Sequence, residues 1–410
     1  MAKTEQKLET KEVLRKTEEK LKERFKQIEE IAFINQKKVL QAFIDCRVSS
    51  QCFSGTTGYG YDDVGRDTLA KVFAKVFGGE SAIVSPILTC GTHAISTVLY
   101  GLLKPKDTML SITGLPYDTL HATIFGKGNF SLQDIGVKYQ QIDLNEDSTF
   151  KIEEIKKTVK KIKPKVVYLQ RSRGYSDRKA LSPHDMKEVF DEVKAISKDC
   201  FIVVDNCYGE FVDTIEPTDV GADVCVGSLI KNAGGGLAST GGYIVGSERA
   251  IDSISARYTN PSLKLEVGSY EMGYRLFYQG LFLAPHIVAQ ALKGTALVGQ
   301  IMEDKGYKVI PSNDVQPQDI VKSVVFNSAE ELIKFVQTVQ KVSPIDGYVL
   351  PLPWDMPGYD DKVIMAAGTF VGGSSIELSC DSPLRSPYTV SYTHLRAHET
   401  LRERVFRLVL

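Results

Sequence analysis

The sequence predicts an α/β protein in which a larger domain on a mostly parallel sheet precedes a smaller α+β domain. Three observations predict it. From about residue 68 to about residue 285, short apolar runs alternate with amphipathic helical stretches, the pattern of crossover units. Two of those runs, 166–169 and 201–204, are apolar at every position, as strands covered on both faces are. The chain has 410 residues, 43% of them hydrophobic, which is enough for two or three domains with cores that need no disulfide or metal staple.

The elements follow in order. Residues 1–45 are rich in Lys and Glu, and Leu14, Leu21, Phe25, Ile28 and Ala32 recur at helical spacing. This segment reads as an amphipathic arm lying on the body of the protein or on a second subunit. Too few heptads are sustained for a free-standing coiled coil. Residues 53–66 (FSGTTGYGYDDVGR) have no period and read as a loop, with Asp62-Asp63, like Asp360-Asp361 later, as solvated turn acids. A helix over 68–77 ends at Gly78-Gly79. An apolar run at 82–88, a helix over 93–103, strands at 108–112 and 137–142 and a Lys-rich helix over 151–162 come next. Strands at 166–169, 201–204 and 224–226 complete the large domain. Beyond about residue 285 the spacing predicts a helix over 287–304, an extended segment at 323–327, a helix over 329–339 and strands near 363–367 and 374–379. The expected divisions are an arm and loop (1–60), a large domain (61–285), a small domain (286–388) and a separate tail (389–410).

Composition narrows the function. Lys plus Arg number 50 and Asp plus Glu 51, a net charge of −1. A nucleic-acid or anionic-membrane binder would need a basic excess, so neither partner is expected. No apolar run of the sequence reads as a membrane span, and the first residues hold no apolar signal core, so a cytoplasmic protein is expected. Seven scattered cysteines without a C-x-x-C pair fit reduced thiols.

The chemistry concentrates at FIVVD (201–205) and, 26 residues after Asp205, at Lys231 in GSLIKN (227–232), followed by Gly234-Gly235-Gly236. An acid at the carboxyl end of a buried strand points into the crevice where α/β sheets bind ligands. A lysine after the next strand, followed by glycines, lies on a tight loop beside the same crevice. Pyridoxal 5'-phosphate needs both groups: a lysine to hold its aldehyde and a carboxylate to keep its ring nitrogen protonated. Other cofactors fail on spacing. A P-loop needs Gly-Lys-[Ser/Thr], and Ile230 and Asn232 flank Lys231; a dinucleotide fingerprint lacks its last glycine at Ser239. Thr89-Cys90-Gly91-Thr92-His93 lies between an apolar run and a helix, where free backbone N–H groups can cup a phosphate. Tyr117, after the next strand, could cover the cofactor ring.

These residues resemble a known family. The blocks GTHAI (91–95), PYDTL (116–120), QRSRGY (170–175), VDNCYGEF (204–211) and GSLIKN (227–232) are similar to the bacterial pyridoxal-phosphate proteins described as aluminium-resistance, cystathionine β-lyase-like or methionine γ-lyase family proteins. The similarity extends through GYGYDD (58–63), QGLFLAPH (279–286) and VIMAAGTF (363–370), from about residue 10 to about residue 388. The resemblance implies the aspartate-aminotransferase fold, fold type I, as a homodimer or homotetramer. It implies Lys231 as the lysine that carries the cofactor and Asp205 as the partner of the ring nitrogen. Gly91, Thr92 and Ser228 would hold the phosphate, with His93 in the same cofactor-binding segment, and Tyr117 would stack on the ring. Related lyases place a Tyr-x-Arg motif of a neighbouring subunit at the phosphate; here Tyr59 and Tyr61 stand in that region without an arginine. The substrate-carboxylate arginine is displaced as well, leaving Arg385 and Arg173 as candidates. The expected activity is a carbon–sulfur lyase acting on a small sulfur amino acid by α-proton removal and β- or γ-elimination. The alternative is a catalytically weak cofactor-binding protein with a regulatory or metal-stress role. After Tyr388 the chain departs from the family's pattern: VSYTHLRAHET (390–400) resembles translated sequencing-adapter read-through. Residues 389–410 are therefore expected to be a non-native tail, with the final family strand missing and His394 and His398 of no account as a metal pair.

Overall fold

The computed structural model describes residues 2–394 apart from 177, 357 and 358, with side chains described from residue 11 onward. The chain divides into two compact units. One is Asn35–Ala284; the other joins the described residues up to Ile34 to those from Pro285 onward.

The first unit is built on seven strands: β1 (Ser81–Ser85), β2 (Thr108–Ser111), β3 (Lys138–Gln141), β4 (Val166–Gln170), β5 (Phe201–Asp205), β6 (Val224–Ser228) and β7 (Gly242–Gly246). Their order is β1-β7-β6-β5-β4-β2-β3. β7 runs antiparallel to both neighbours and all other pairs are parallel. β1 and β6 therefore point the same way, and the carboxyl ends of β1, β2, β4, β5 and β6 lie along one edge. β4 to β7 are buried at every position because apolar cores cover both faces. One core gathers Ile83, Val98 and Tyr168; the other gathers Val167, Phe190 and Ile202. β7 was not expected. Its sequence, GYIVG, is bounded by glycines that read as part of the loop after Lys231. The helices Pro183–Ile196 and Glu248–Tyr258 were also missed, although a capping box of Ser182 and Asp185 opens the first.

Two corrections concern helix starts. The helix Val64–Val76 begins inside the stretch read as loop. It can because Asp63 is no solvated turn acid: it is fully buried, caps the helix through the Arg66 N–H at 2.9 Å, and accepts from the Tyr274 hydroxyl at 2.8 Å. The helix expected from residue 93 runs Gly91–Leu102, and its cap is Cys90, whose Sγ accepts from the His93 N–H at 3.4 Å.

The second unit has an antiparallel sheet in the order β10-β11-β12-β9-β8. Its strands are β8 (Lys308–Ile310), β9 (Lys322–Val325), β10 (Val363–Ala366), β11 (Leu378–Pro383) and β12 (Thr389–His394). The helices Ala2–Lys20 and Ala329–Val342 belong here, with the neighbouring parts of Lys22–Asp45 and Arg275–Asp304. The arm lies on this unit's own core: Leu14 and Leu21 are buried with Val298, Ile301, Val324 and Val336. The strand expected near 374–379 is displaced to Leu378–Pro383. β12 occupies the middle of the sheet, between β11 and β9, so the residues from Thr389 to His394, set apart as a tail, supply the strand that was expected to be missing. His398 lies outside the described residues. The helix expected from residue 287 starts at Arg275 and continues through Pro285. It is long and apolar enough to cross a membrane, which single runs of the sequence do not show because Gln279, Gln290 and Lys293 interrupt them, and most of it is buried inside the protein.

Candidate active site

A cavity opens in the first unit at the carboxyl edge of the sheet. Its walls include Cys90, Gly91, Thr92, Tyr117, Gln170, Asp205, Cys207, Tyr208, Ser228 and Lys231. The topology explains the gathering. Gln170, Asp205 and Ser228 are the last residues of β4, β5 and β6, and Gln170 and Asp205 are register partners. Gly91 starts the helix that follows β1, and Tyr117 follows β2.

Asp205 is almost wholly buried. Its Oδ1 accepts from the Cys207 N–H at 3.1 Å and its Oδ2 accepts from the Tyr168 hydroxyl at 3.5 Å. Burial pushes its carboxyl above the usual carboxylate range, against the pull of Lys231 and the Cys207 hydrogen bond. Lys231 Nζ lies 3.9 Å from the centre of the Tyr208 ring. Burial pulls the Lys231 amine down, but Cys207, Tyr208 and Asp205 outweigh it and hold the amine above its ordinary value.

Part of the lining is a helix N-terminus. A Cβ on Gly91 would lie 3.4 Å from both Ser228 Cβ and Cys207 Sγ, so the helix start and the end of β6 are in contact. Ser228 Oγ is buried with no hydrogen-bond partner among the described residues. Thr92 Oγ1 is 2.7 Å from Thr119 Oγ1. His93 points elsewhere: its Nδ1 accepts from the Thr89 N–H at 3.2 Å and it does not line the cavity. Tyr117 is placed by its N–H, which donates to Gln170 Oε1 at 2.8 Å, and by Tyr175, whose ring centre is 5.9 Å away.

The structure does not bring the remaining candidates to this cavity. Tyr59 and Tyr61 are exposed and stacked on each other at 5.4 Å, on a loop pinned by Arg66 to Gly60 O and by Ser269 to Gly58 O. Arg173 is buried but is not among the lining residues. Arg385 belongs to the second unit, where it pairs with Asp361 at 3.0 Å; Asp361 is thus an ion-pair partner rather than a free turn acid. Other lining residues carried no expected role, among them Gln170, Gly174, Cys207 and Tyr208. The signal for Tyr208 lay in its position three after Asp205, but only the backbone shows that it takes a φ of +74°, which swings its ring to Lys231. Among the described residues no group of three His, Cys, Asp or Glu could hold a metal ion.

An antiparallel β7 inside an otherwise parallel sheet, with an acid after one strand and a lysine after the next, defines a fold type I protein of the pyridoxal-phosphate class. The sequence profile of the methionine γ-lyase family matches residues 10–406, and the chain belongs to that family, whose cofactor is pyridoxal 5'-phosphate. A carbon–sulfur lyase involved in aluminium resistance from Clostridium novyi NT superposes with a TM-score of 0.93 at 45% identity, over 98% of this chain and 95% of that one. The uncharacterized protein YnbB of Bacillus subtilis is 45% identical over 380 residues, 90% of each chain. The pyridoxal-5'-phosphate-dependent protein YhfS of Escherichia coli shares the fold at 18% identity, with a TM-score of 0.60 over 93% of this chain and 96% of that one.

The residues present fit such a cofactor. Ser228 offers a buried hydroxyl without a partner, beside the N-terminus of a helix of 12 residues. Asp205, which lines the same cavity, is a buried acid that accepts hydrogen bonds from neutral donors, so a protonated ring nitrogen would add a countercharge to that of Lys231.

Proposed function

We propose that this chain is a pyridoxal-phosphate-dependent carbon–sulfur lyase acting on a sulfur amino acid of the cystathionine, methionine or cysteine type. One observation carries the reading: Asp205 and Lys231 line the same cavity as Gly91, Thr92 and Ser228, whose hydroxyl has no hydrogen-bond partner among the described residues.

When bound, the cofactor supplies an electron sink for a bond broken at the substrate Cα. Lys231 would anchor it, Asp205 would hold its ring nitrogen, Gly91, Thr92 and Ser228 would bind its phosphate, and Tyr117 would cover the ring. With the cofactor in place, Lys231 Nζ would be the group that takes the substrate's α-proton, and Asp205 would favour the protonated ring nitrogen on which the electron sink depends. The hydroxyl of Tyr117, or that of Tyr59 or Tyr61 from a second copy, gives a proton to the sulfur as the carbon–sulfur bond breaks. The products are a thiol and an unsaturated amino acid, which takes up water to give a keto acid and ammonia. Arg173 and Arg385 are the candidates for the substrate carboxylate, and cytoplasmic location and assembly as a homodimer or homotetramer belong to the same proposal.

The test begins with the visible absorbance of the purified protein mixed with pyridoxal phosphate. A visible band that borohydride bleaches, leaving the cofactor covalently attached to wild-type protein but not to Lys231→Ala, supports Lys231 as the anchor. Thiol and keto-acid release from cystathionine, methionine and cysteine then reads the activity. Protein that stays colourless sinks the cofactor reading; coloured protein that releases no thiol from any of the three sinks the lyase reading alone.

A further inference from the structure

The mechanism leaves unused a set of polar groups that lies outside the cavity lining, against the loop that carries Lys231. After Asp205 the chain enters 206–213, where every residue except the half-buried Tyr208 is buried. Tyr208 (φ +74°) and Phe211 (φ +62°) are both left-handed, a backbone that such residues adopt only where their surroundings impose it. The segment is held in that shape by Asn35, whose Nδ2 donates to Asp213 O at 2.8 Å.

Glu210, in the middle of this segment, reaches the Lys231 loop through its main chain and β7 through its side chain. Its main-chain oxygen accepts from Asn232 Nδ2 at 3.0 Å, one residue beyond Lys231. Its Oε1 accepts from the Tyr243 hydroxyl at 2.8 Å. Tyr243 is the register partner of Gly227, and a Cβ on Gly227 would lie 2.7 Å from both Glu210 Oε1 and the Tyr243 hydroxyl. Glycine at 227 is what leaves room for the carboxyl beside the strand that leads to Ser228 and Lys231. Glu210 is fully buried, and its Oε2 has no hydrogen-bond partner among the described residues. Of the cations near it, Lys231 attracts the carboxyl without an ion pair to it among the described residues, and the buried Arg171 is engaged by Asn206 at 2.8 Å and by Glu216 at 3.6 Å. A buried carboxylate with an empty oxygen and no ion pair is costly, whereas a neutral acid in the same place is not. Burial accordingly pushes the Glu210 carboxyl up to about 8.

We propose that Glu210 is a positioning residue that acts as an uncharged acid, its side chain bracing Tyr243 on β7, beside the strand that leads to Lys231, without adding a second negative charge beside Asp205. Cys207, Tyr208 and Asp205 already hold the Lys231 amine above its ordinary value, and a further anion beside them would bind its proton more tightly still, whereas the neutral amine is the form that attacks an aldehyde. The inference rests on the reading of Lys231 as the cofactor anchor.

Two variants test it. Glu210→Gln keeps the length and the neutrality; Glu210→Asp keeps the acid but falls one methylene short of Tyr243. The readouts are the rate at which added pyridoxal phosphate is captured as a borohydride-fixed adduct on Lys231, and the melting temperature without cofactor. Capture is expected within about twofold of wild type for the Gln variant and slower by about tenfold for the Asp variant, the effect of losing one buried hydrogen bond. An Asp variant as fast as wild type overturns the proposal, as does a Gln variant as slow as Asp. Lowered melting temperatures with unchanged capture overturn it too, because they assign Glu210 a merely structural role. Failure of the underlying reading looks different: the wild-type protein itself would capture nothing at Lys231.

Discussion

The single residue that tells most about this site is a glycine. Gly174 has a φ of +56°, and a Cβ there would lie 3.1 Å from Tyr117 Cδ2 and 3.3 Å from Gln170 Nε2. Only glycine lets the 171–175 turn close on the tyrosine expected to cover the ring. Gly174→Ala is predicted to lower stability by about 1–2 kcal/mol, the cost of a left-handed non-glycine residue, and to weaken pyridoxal-phosphate retention by displacing Tyr117. Thermal melts and absorbance after dialysis check both; unchanged retention would mean that Tyr117 does not meet the cofactor. Glu210 gives a pH prediction at the same scale. Burial, with the charge of Glu216 adding to it, raises its carboxyl from an ordinary 4.5 to about 8, against the Tyr243 hydrogen bond and Lys231. The folded form therefore binds the proton more tightly than the unfolded chain. This group's contribution to stability is complete below about pH 4.5 and declines as the pH rises through about 8. Melting temperature measured across that window should fall less steeply for Glu210→Gln than for the wild-type protein.

Among the elements, the N-terminal arm matters beyond its length. Its apolar residues were legible as one helical face, but the sequence left open whether that face meets this chain or another. Leu14 and Leu21 fill the core around Val324 and Val336, so the arm is a structural part of the second unit. Leu14→Ala or Leu21→Ala should cost about 2–5 kcal/mol, as buried leucines do, read by denaturant unfolding. A cost near zero would show the arm to be dispensable. β12 carries a parallel lesson. Whatever the origin of its residues, alternation in Thr389–His394 places Val390 and Tyr392 in the core and pairs the strand on both sides. A stretch judged by its resemblance to read-through still satisfies the pattern that a central strand requires.

For the whole molecule, the question is what the exposed apolar surface meets. On the helix Lys22–Asp45, Leu40 and Ile44 are about half exposed and one turn apart, a spacing that presents them together. Exposed apolar pairs on a regular helix are candidates for association. Leu40→Glu with Ile44→Glu is predicted to reduce the assembly size measured by light scattering while leaving the fold intact by circular dichroism. A wild-type protein that is already monomeric would count against the proposed oligomer.

The sequence by itself determined the alternation of strands and helices, the fold class, and the placement of Asp205 and Lys231 after buried strands. All of these follow from local periodicity and from residue types whose chemistry is specific. It could not show β7, because glycine-bounded strands look like loops, nor the burial of Asp63, because a capping acid reads like any turn acid. It also could not show which neighbours set the charge on Lys231. Only the tertiary structure decided that Gln170, Asp205 and Ser228 end their strands at one cavity, that Gly91 faces Ser228, and that Tyr208 turns toward Lys231. Those juxtapositions depend on sheet order and on backbone angles fixed by packing between residues far apart in the chain, which no local pattern records.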